Sequence, residues 1–185
     1  MEALDALLDR VSAPRLVDPA PTAQQRENLF QAAMRAPDHG QLRPWRLLTI
    51  EGVARQQLGE VLVEAVQASG NATEAALEKA RGMPLRAPLL IVVIACLQDH
   101  FKVPASEQLL TAACAAHGIL LAAYAQGIGA VWRTGELSYA PSVAHKLGLQ
   151  PNEQVIGFLY LGTPQKELRQ APVVDSDEFV KPWLA

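Results

Sequence analysis

A long apolar run at residues 109–125 constrains this chain more than any other feature of its sequence. Only Thr111, His117 and Tyr124 are polar within it, and none of the three carries a full charge at neutral pH. We predict that the run belongs to a helix over residues 105–126. A helix that is apolar on every side must be covered on every side. One sheet covers one side, and the rest is covered either by other segments of this chain or by a second subunit; the pattern favours neither.

Length and composition predict one globular domain spanning residues 1–185. Of the 185 residues, 50% are hydrophobic and 19% are charged, so the chain can bury a sizeable core. The formal net charge is -3 and the arginines are scattered. Because a duplex requires a continuous basic stripe, we expect no nucleic-acid partner, and scattered arginines suit a small anionic ligand better.

The location of the protein is predicted from its cysteines and its N-terminus. Cys96 and Cys114 both sit in apolar runs, which favours buried thiols over a disulfide or a metal pair and is typical of a reducing cytosol. The first five residues are acidic and lack the order of a signal peptide. Residues 109–125 fall short of the length and hydrophobicity of a membrane span. We therefore expect a cytoplasmic protein without a membrane partner.

The remaining periodicities predict helices and strands that recur along the chain. Further helices are expected at residues 2–10, 22–35, 53–68, 72–81 and 141–147, and a turn is expected at residues 69–71. The first of these helices has Leu4, Leu7 and Leu8 on one face, and the second begins with a capping box of Thr22 and Gln25. Strands are expected at residues 45–50, 88–96, 130–133 and 154–161, and a tail from residue 163 wraps over the surface or over a partner. The segment 88–96 is apolar throughout, as in a strand covered on both faces. The order indicates an α+β fold: a three-layer αβα domain with a mixed central sheet around the long apolar helix.

The usual signatures of nucleotide, metal and nucleophile sites are missing from the sequence. There is no Walker A loop, and the glycines at 127 and 129 follow a helix, whereas a dinucleotide fingerprint follows a strand. The four histidines lack the spacing of metal ligands, so no metal is expected, and no G-x-S-x-G elbow occurs. If the protein is an enzyme, the reactive atom belongs to a cofactor, and we assign no catalytic side chain.

Four segments, taken in order, resemble the nitroreductase family, and most closely its small YdjA-like branch. They are RVSAPR at 10–15, RAPDH at 35–39 with RPWR at 43–46, VP and EQ at 103–108 with AQGIG at 125–129, and VWRTG at 131–135 with GFLYLGTP at 157–164. The resemblance implies an FMN-binding fold in a homodimer, with each flavin touching both chains. It also implies a ping-pong reaction in which NADH or NADPH reduces the flavin and a nitroaromatic or quinone-like acceptor reoxidises it.

The resemblance assigns FMN contacts to the first three residues of the first motif. Its usual form is Arg-Arg-Ser, so Arg10 and Ser12 are expected to contact the flavin phosphate and ribityl chain, where a guanidinium fork suits a dianion. Val11 departs from the pattern and contributes only its backbone to the cofactor. For Arg10 alone, the alternative is a side chain that interacts with the C-terminal end of a helix.

The fourth motif places Val131 and Trp132 against the flavin and Arg133 on its phosphate. Ordinary core packing is a strong alternative for Trp132. An arginine in an apolar stretch requires an anionic partner, and a structural carboxylate would serve Arg133 as well as a phosphate.

The second motif implies that Arg35 and His39 contact a flavin bound mainly by the opposite subunit. A cation or hydrogen-bond donor there would stabilise the anionic reduced flavin. The family often has Asn near position 39, and the alternative for His39 is a solvated loop histidine.

Two further functions remain open at this point. Val11 allows a flavin-binding dimer without turnover, which would be a carrier or a sensor. The apolar helix by itself also allows a cofactor-free interaction protein. The NADH or NADPH preference and the physiological acceptor have no signature in the sequence.

Overall fold

The computed structural model describes residues 2–70 and 72–183, so the predicted domain at 1–185 and the turn predicted at 69–71 extend beyond the described residues. The helices are α1 (Ala3–Asp9), α2 (Ala23–Ala33), α3 (Val53–Ala68), α4 (Glu74–Gly82), α5 (Ala105–Ala125) and α6 (Pro141–Lys146). The strands are β1 (Leu16–Val17), β2 (Trp45–Glu51), β3 (Leu89–Cys96), β4 (Gly129–Arg133) and β5 (Glu153–Pro164). The two-residue strand β1 was not predicted, because two residues carry no periodicity.

Strand β3 lies at the centre of the fold and is buried from Leu89 to Ala95. Its even-numbered residues, among them Leu90 and Val92, pack in a cluster with α3 and α4. Its odd-numbered residues, among them Ile91 and Val93, pack in a second cluster with α2 and α5. Because successive side chains of a strand point to opposite faces, a continuous apolar run is required where helices cover both faces. The predicted α+β fold with three αβα layers is confirmed.

The prediction of a mixed sheet was wrong, because every strand pair among the described residues is antiparallel. The strands follow the order β1-β5-β3-β2, and β4 also pairs with β5. Strands β2 and β3 are antiparallel neighbours, and helices α3 and α4 lie between them in the chain. A single helix, α5, separates β3 from β4, and both run antiparallel to β5. Strands β3 and β4 are therefore parallel to each other, but β5 lies between them.

Helix α5 has one buried and one exposed face in the protomer. Ala112, Ala116 and Ile119 are fully buried against the sheet, whereas Leu110 keeps 66% of its surface exposed. The prediction that this segment falls short of a membrane span was wrong. Helix α5 has 21 residues and, by length and composition alone, could cross a membrane. The apolar run at residues 109–125 is shorter than the helix, because the first turn of α5 is polar and precedes it. Core helices of soluble proteins pass the same test, and this helix packs on the sheet.

The N-terminal helices show where sequence periodicity succeeds and where it fails. The capping box predicted at Thr22 is confirmed, with its hydroxyl accepting from the Gln25 backbone. The face carrying Leu4, Leu7 and Leu8 points outward, and these side chains are 66%, 55% and 71% exposed. In a single copy of the chain, the apolar faces of α1 and α5 lack the cover that a soluble protein usually gives such surfaces.

Candidate functional site

The segment after α1 runs beside β4 and holds the first predicted motif in place. Helix α1 ends at Asp9, and the Ala13 backbone N–H donates to the Ala130 carbonyl at 2.9 Å. Val11 is only 7% exposed, so its side chain packs in the interior, while Ser12 is exposed and Arg10 is partly buried. Val11 therefore contributes no side chain to the surface on which Ser12 is exposed.

Arg133, the last residue of β4, carries a buried side-chain nitrogen that has no hydrogen-bond partner among the described residues. Its Nε is buried without a hydrogen-bond partner, and one terminal nitrogen donates to the Pro14 carbonyl at 3.3 Å. Its guanidinium carbon lies 5.5 Å from the centre of the Tyr160 ring. A buried donor without a partner costs about 1–3 kcal/mol, so this arrangement is suited to an acceptor from outside the chain. No structural carboxylate of the described residues reaches Arg133, which removes that alternative.

Tyr160 lies beneath this guanidinium on the neighbouring strand β5. It is only 5% exposed, and burial raises its pKa above the usual value of 10.0, against the opposing charges of Arg133 and Arg86. The phenol is consequently neutral at physiological pH and can donate a hydrogen bond.

Arg133 opens onto a cavity of about 470 Å³, which we call the central cavity. Its walls are formed by Pro14, Arg15, Leu16, Arg86, Arg133 and Gln165. Three of these six residues are arginines and none is acidic. Such a site favours an anion, because guanidinium groups without counter-charges repel one another.

A second opening of about 550 Å³, the strand cavity, shares Arg86 and Arg133 with the central cavity and lies on the α3 side of the sheet. Apolar side chains of Leu58, Leu62 and Phe158 contribute to its wall. It also contains polar and charged groups from the segment after β4 and from α4, including Lys79 and Glu136. The mixture of apolar walls and a few polar groups is typical of a small-molecule site.

The Trp132 side chain packs against strand β5. Its Nε1 donates to the Ile156 carbonyl at 3.3 Å, and its ring occupies the space that a side chain at Gly157 would fill. The alternative of core packing therefore holds for the Trp132 ring, although the residue also lines the strand cavity.

A third opening of about 550 Å³, the tail cavity, shares Arg15 with the central cavity. Its wall includes Ser12 and, from the tail, the charged residues Lys166, Glu167 and Arg169. Four basic residues at these cavities were not predicted as site residues from the sequence: Arg15, Arg86, Lys166 and Arg169. Arg15 lay inside the quoted first motif, but nothing local in the sequence shows that the other three approach it.

Arg35 and His39 lie away from this group, in the segment between α2 and β2. His39 Nδ1 is 2.8 Å from a Glu107 carboxylate oxygen at the start of α5, and both side chains are about half exposed. Arg35 is exposed and lines a separate opening of about 530 Å³ together with Asp38 and Arg43. The Ala13–Ala130 hydrogen bond therefore places the segment that carries Arg10, Val11 and Ser12 beside β4, whereas the contacts of Arg35 and His39 among the described residues lie elsewhere.

The loop that carries His39 is held in a strained conformation. Asp38 accepts from the backbone N–H groups of Leu42 and Arg43 at 3.2 and 2.7 Å. Gln41 and Arg43 have φ angles of 52° and 48°, in the left-handed region that non-glycine residues rarely adopt. Such strain persists where the surroundings fix it, and it is frequent at binding sites.

The opposite end of β5 carries a second polar cluster that is fully paired. Two guanidinium nitrogens of Arg46 each donate to a Glu153 oxygen at 2.7 Å. This pairing holds the pKa of Glu153 at about 2, while burial and the nearby carboxylate raise the pKa of Cys96 to about 11. The described residues contain no group of three metal-ligating side chains. We assign this cluster a structural role.

Comparisons with known proteins agree on one family across most of the chain. The model of the Nitroreductase family matches residues 9–163. The Escherichia coli K12 protein named "Putative NAD(P)H nitroreductase YdjA" is 44% identical over 181 residues, covering 97% of this chain and 98% of the relative. A Haemophilus influenzae protein named "Putative NAD(P)H nitroreductase" is 38% identical over 182 residues, with the same two coverages.

Solved structures share the fold at lower sequence identity. A nitroreductase-like family protein from Bacillus cereus superposes with a TM-score of 0.85 at 22% identity, covering 100% of this chain and 97% of that one. The FMN-dependent nitroreductase NfnB from Mycobacterium smegmatis, solved in complex with NADPH, has a TM-score of 0.75 at 17% identity, with 98% of both chains covered.

Proposed function

Because this chain belongs to the nitroreductase family, we propose that it is an FMN-dependent oxidoreductase that passes electrons from NAD(P)H to an electron-poor organic acceptor. Relatives named as putative NAD(P)H nitroreductases support the donor, and solved structural neighbours in complex with FMN or NADPH support the cofactor. The observation that carries the proposal is the buried, unpartnered Nε of Arg133 at the junction of two cavities.

The residues around the three cavities, which share lining residues, fit FMN in chemistry. FMN combines a phosphate dianion, a polar ribityl chain and a flat aromatic ring. The guanidinium of Arg133, together with that of Arg10 from the first motif, would bind the phosphate, and Ser12 would contact the ribityl chain. Backbone groups of Val11 and Val131, together with Trp132, would line the cofactor. The apolar wall of the strand cavity would accept the ring.

When bound, FMN would supply the redox chemistry by which electrons from NAD(P)H would reach the acceptor in a ping-pong cycle. The chain binds and orients, and no side chain is required as an essential acid or base. Tyr160 is kept neutral by burial, so it remains a hydrogen-bond donor over the physiological pH range. We propose a nitroaromatic or quinone-like molecule as the acceptor.

We further propose that the protein is a homodimer and that Arg35 and His39 approach the flavin of the other subunit. Three observations support a second copy: the exposed leucines of α1, the outer face of α5, and the tail, where Phe179 and Trp183 are 74% and 90% exposed. Exposed apolar surface of this extent marks interaction sites. The separation of Arg35 and His39 from β4 within one chain is also what a shared site requires.

The cytoplasm is the compartment we propose, because NADH and NADPH are available there. Both cysteines are free thiols, which is consistent with that reducing environment, but the prediction of buried thiols was wrong for Cys114, which is exposed.

The proposal is tested by purifying the protein, saturating it with FMN and adding NADPH or NADH without oxygen. We expect a yellow protein whose flavin absorbance bleaches and returns when a nitroaromatic or a quinone is added. Free FMN at the same concentration is the control for direct reduction. A protein that takes up no FMN contradicts the proposal, and one that binds FMN without bleaching would be a carrier or a sensor instead.

A further inference from the structure

Three arginines from distant parts of the chain meet at the central cavity. Arg15 follows the first motif, Arg86 ends the 3-10 turn before β3, and Arg133 ends β4. The other wall residues carry no charge. Among the residues that the structure describes, none of the three arginines is paired with a carboxylate, although Arg26, Arg46 and Arg81 are. Their positive charges are therefore left for a ligand.

Contacts within the chain hold the Arg133 side chain and the backbone next to Arg86 in position before any ligand binds. Arg133 is fixed by the Pro14 carbonyl and the Tyr160 ring. Arg86 precedes the buried Ala87, whose carbonyl accepts from Arg55 at 2.8 Å. The Arg86 side chain itself is exposed and takes part in none of the hydrogen bonds found among residues 2–70 and 72–183. The Arg86 guanidinium is therefore free to bind a ligand at the wall of the central cavity.

We propose that Arg15, Arg86 and Arg133 form a phosphate-binding subsite in which Arg86 is a direct ligand. Three guanidinium groups offer paired N–H donors in a geometry that matches phosphate oxygens, and their combined charge exceeds what a carboxylate or a flavin ring requires. The ligand chemistry is a phosphate monoester dianion. Two molecules of the proposed reaction carry one, FMN at its 5′ end and NADPH at its ribose 2′ position. The inference rests on the proposed function and extends it to residues that the family motifs do not include.

The first experiment compares FMN with riboflavin, which has the same ring and ribityl chain but no phosphate. In Arg86→Gln, a phosphate of FMN in this cavity predicts that FMN affinity falls by about tenfold or more, while riboflavin affinity is unchanged. Flavin fluorescence quenching measures both affinities without turnover. Arg81→Gln is the matched control, because it removes the same charge from the nearby end of α4, where Arg81 pairs with Glu60 at the surface.

The second experiment compares NADPH with NADH on the FMN-saturated enzyme. If the phosphate belongs to NADPH, Arg86→Gln raises the KM for NADPH by about tenfold and leaves both the KM for NADH and the FMN affinity unchanged. Arg86→Lys should recover part of the lost affinity, since the charge stays but the planar fork is lost. Thermal unfolding at the wild-type temperature would show that the variants are folded.

Two results would overturn the subsite. One is Arg86→Gln with unchanged affinity for FMN and unchanged KM for NADPH. The other is an equal loss of FMN and riboflavin affinity, which would assign the arginines to the flavin ring. Failure of the proposed function is a separate result, because it is seen in the wild-type protein as an absence of FMN binding or of anaerobic bleaching.

Discussion

Arg46 on strand β2 and Arg133 on strand β4 belong to the same sheet, but only Arg46 is paired with a carboxylate. Arg46 donates to both oxygens of Glu153, so its charge is neutralised within the chain. Arg133 has a buried Nε without any partner and shares its cavity with two further unpaired arginines. The difference separates a structural arginine from a binding one: the first satisfies its donors within the fold, and the second keeps them for a ligand.

The strongest test of this comparison is Arg133→Ala. We expect FMN affinity to fall roughly 100-fold, because about two charge-assisted hydrogen bonds are lost, each worth about 1.5 kcal/mol. The free energy of unfolding of the FMN-free protein should change little, because one buried unpaired donor is removed together with one long hydrogen bond. Flavin titration and urea unfolding measure the two effects. A large loss of stability with unchanged FMN affinity would make Arg133 a structural residue like Arg46.

The opposite pattern is expected for Arg46→Ala. The Glu153 side chain, which is 8% exposed in the wild type, would lose its cation, which should cost about 2 kcal/mol in the free energy of unfolding after allowance for the partly exposed arginine. FMN affinity should stay near wild type. Urea unfolding of the FMN-free protein tests this directly. If Arg46→Ala bound FMN as weakly as Arg133→Ala, the two arginines would not differ in role.

The pH dependence of stability should follow the paired cluster. Glu153 has a folded pKa of about 2 against an ordinary value of 4.5, so its ionised form is stabilised by folding. Its contribution is complete above about pH 4.5 and is lost as the pH falls towards 2. Comparing acid unfolding of the wild type with that of Glu153→Gln isolates this contribution. We expect the variant to be less stable at pH 6 and to lose less stability between pH 4.5 and 2; equal slopes would contradict the assignment.

The smallest effect concerns the thiol beside that cluster. The pKa of Cys96 is raised to about 11, mainly by burial and then by its contact with Glu153, so very little thiolate exists at pH 8. In a Cys114→Ala background, we expect alkylation by iodoacetamide to be slow at pH 8 and to accelerate about tenfold per pH unit up to about pH 10. The free amino acid cysteine, treated in parallel, is the control. A rate that stops rising near pH 8.5 would contradict the raised pKa.

The elements of this fold are readable from the sequence because their signals are local. The capping box at Thr22 and the apolar run of β3 each lie within a few residues of the structure that they specify. The antiparallel neighbours of β5 were not readable, since strand order depends on which distant segments pair. Local periodicity also gave no direction for α1, because a leucine stripe has the same spacing whether it faces the core or a second copy.

The candidate site divides along the same line. Arg10, Ser12 and Arg133 belong to motifs that can be compared as short strings. Arg86 joins Arg133 only through the folded arrangement of β3, β4 and β5, so its position at the central cavity has no local signature. The unpaired state of Arg133 is likewise a property of its surroundings: Arg46 and Arg133 are the same residue type on strands of one sheet, and only their neighbours distinguish them.

The measurement that most directly tests the account is a crystal structure of the protein with FMN. The account predicts a flavin phosphate or ribityl oxygen within about 3 Å of Arg133 Nε, with residues of a second copy of the chain at the same flavin. A flavin bound elsewhere, with Arg133 Nε still lacking a partner, would contradict it.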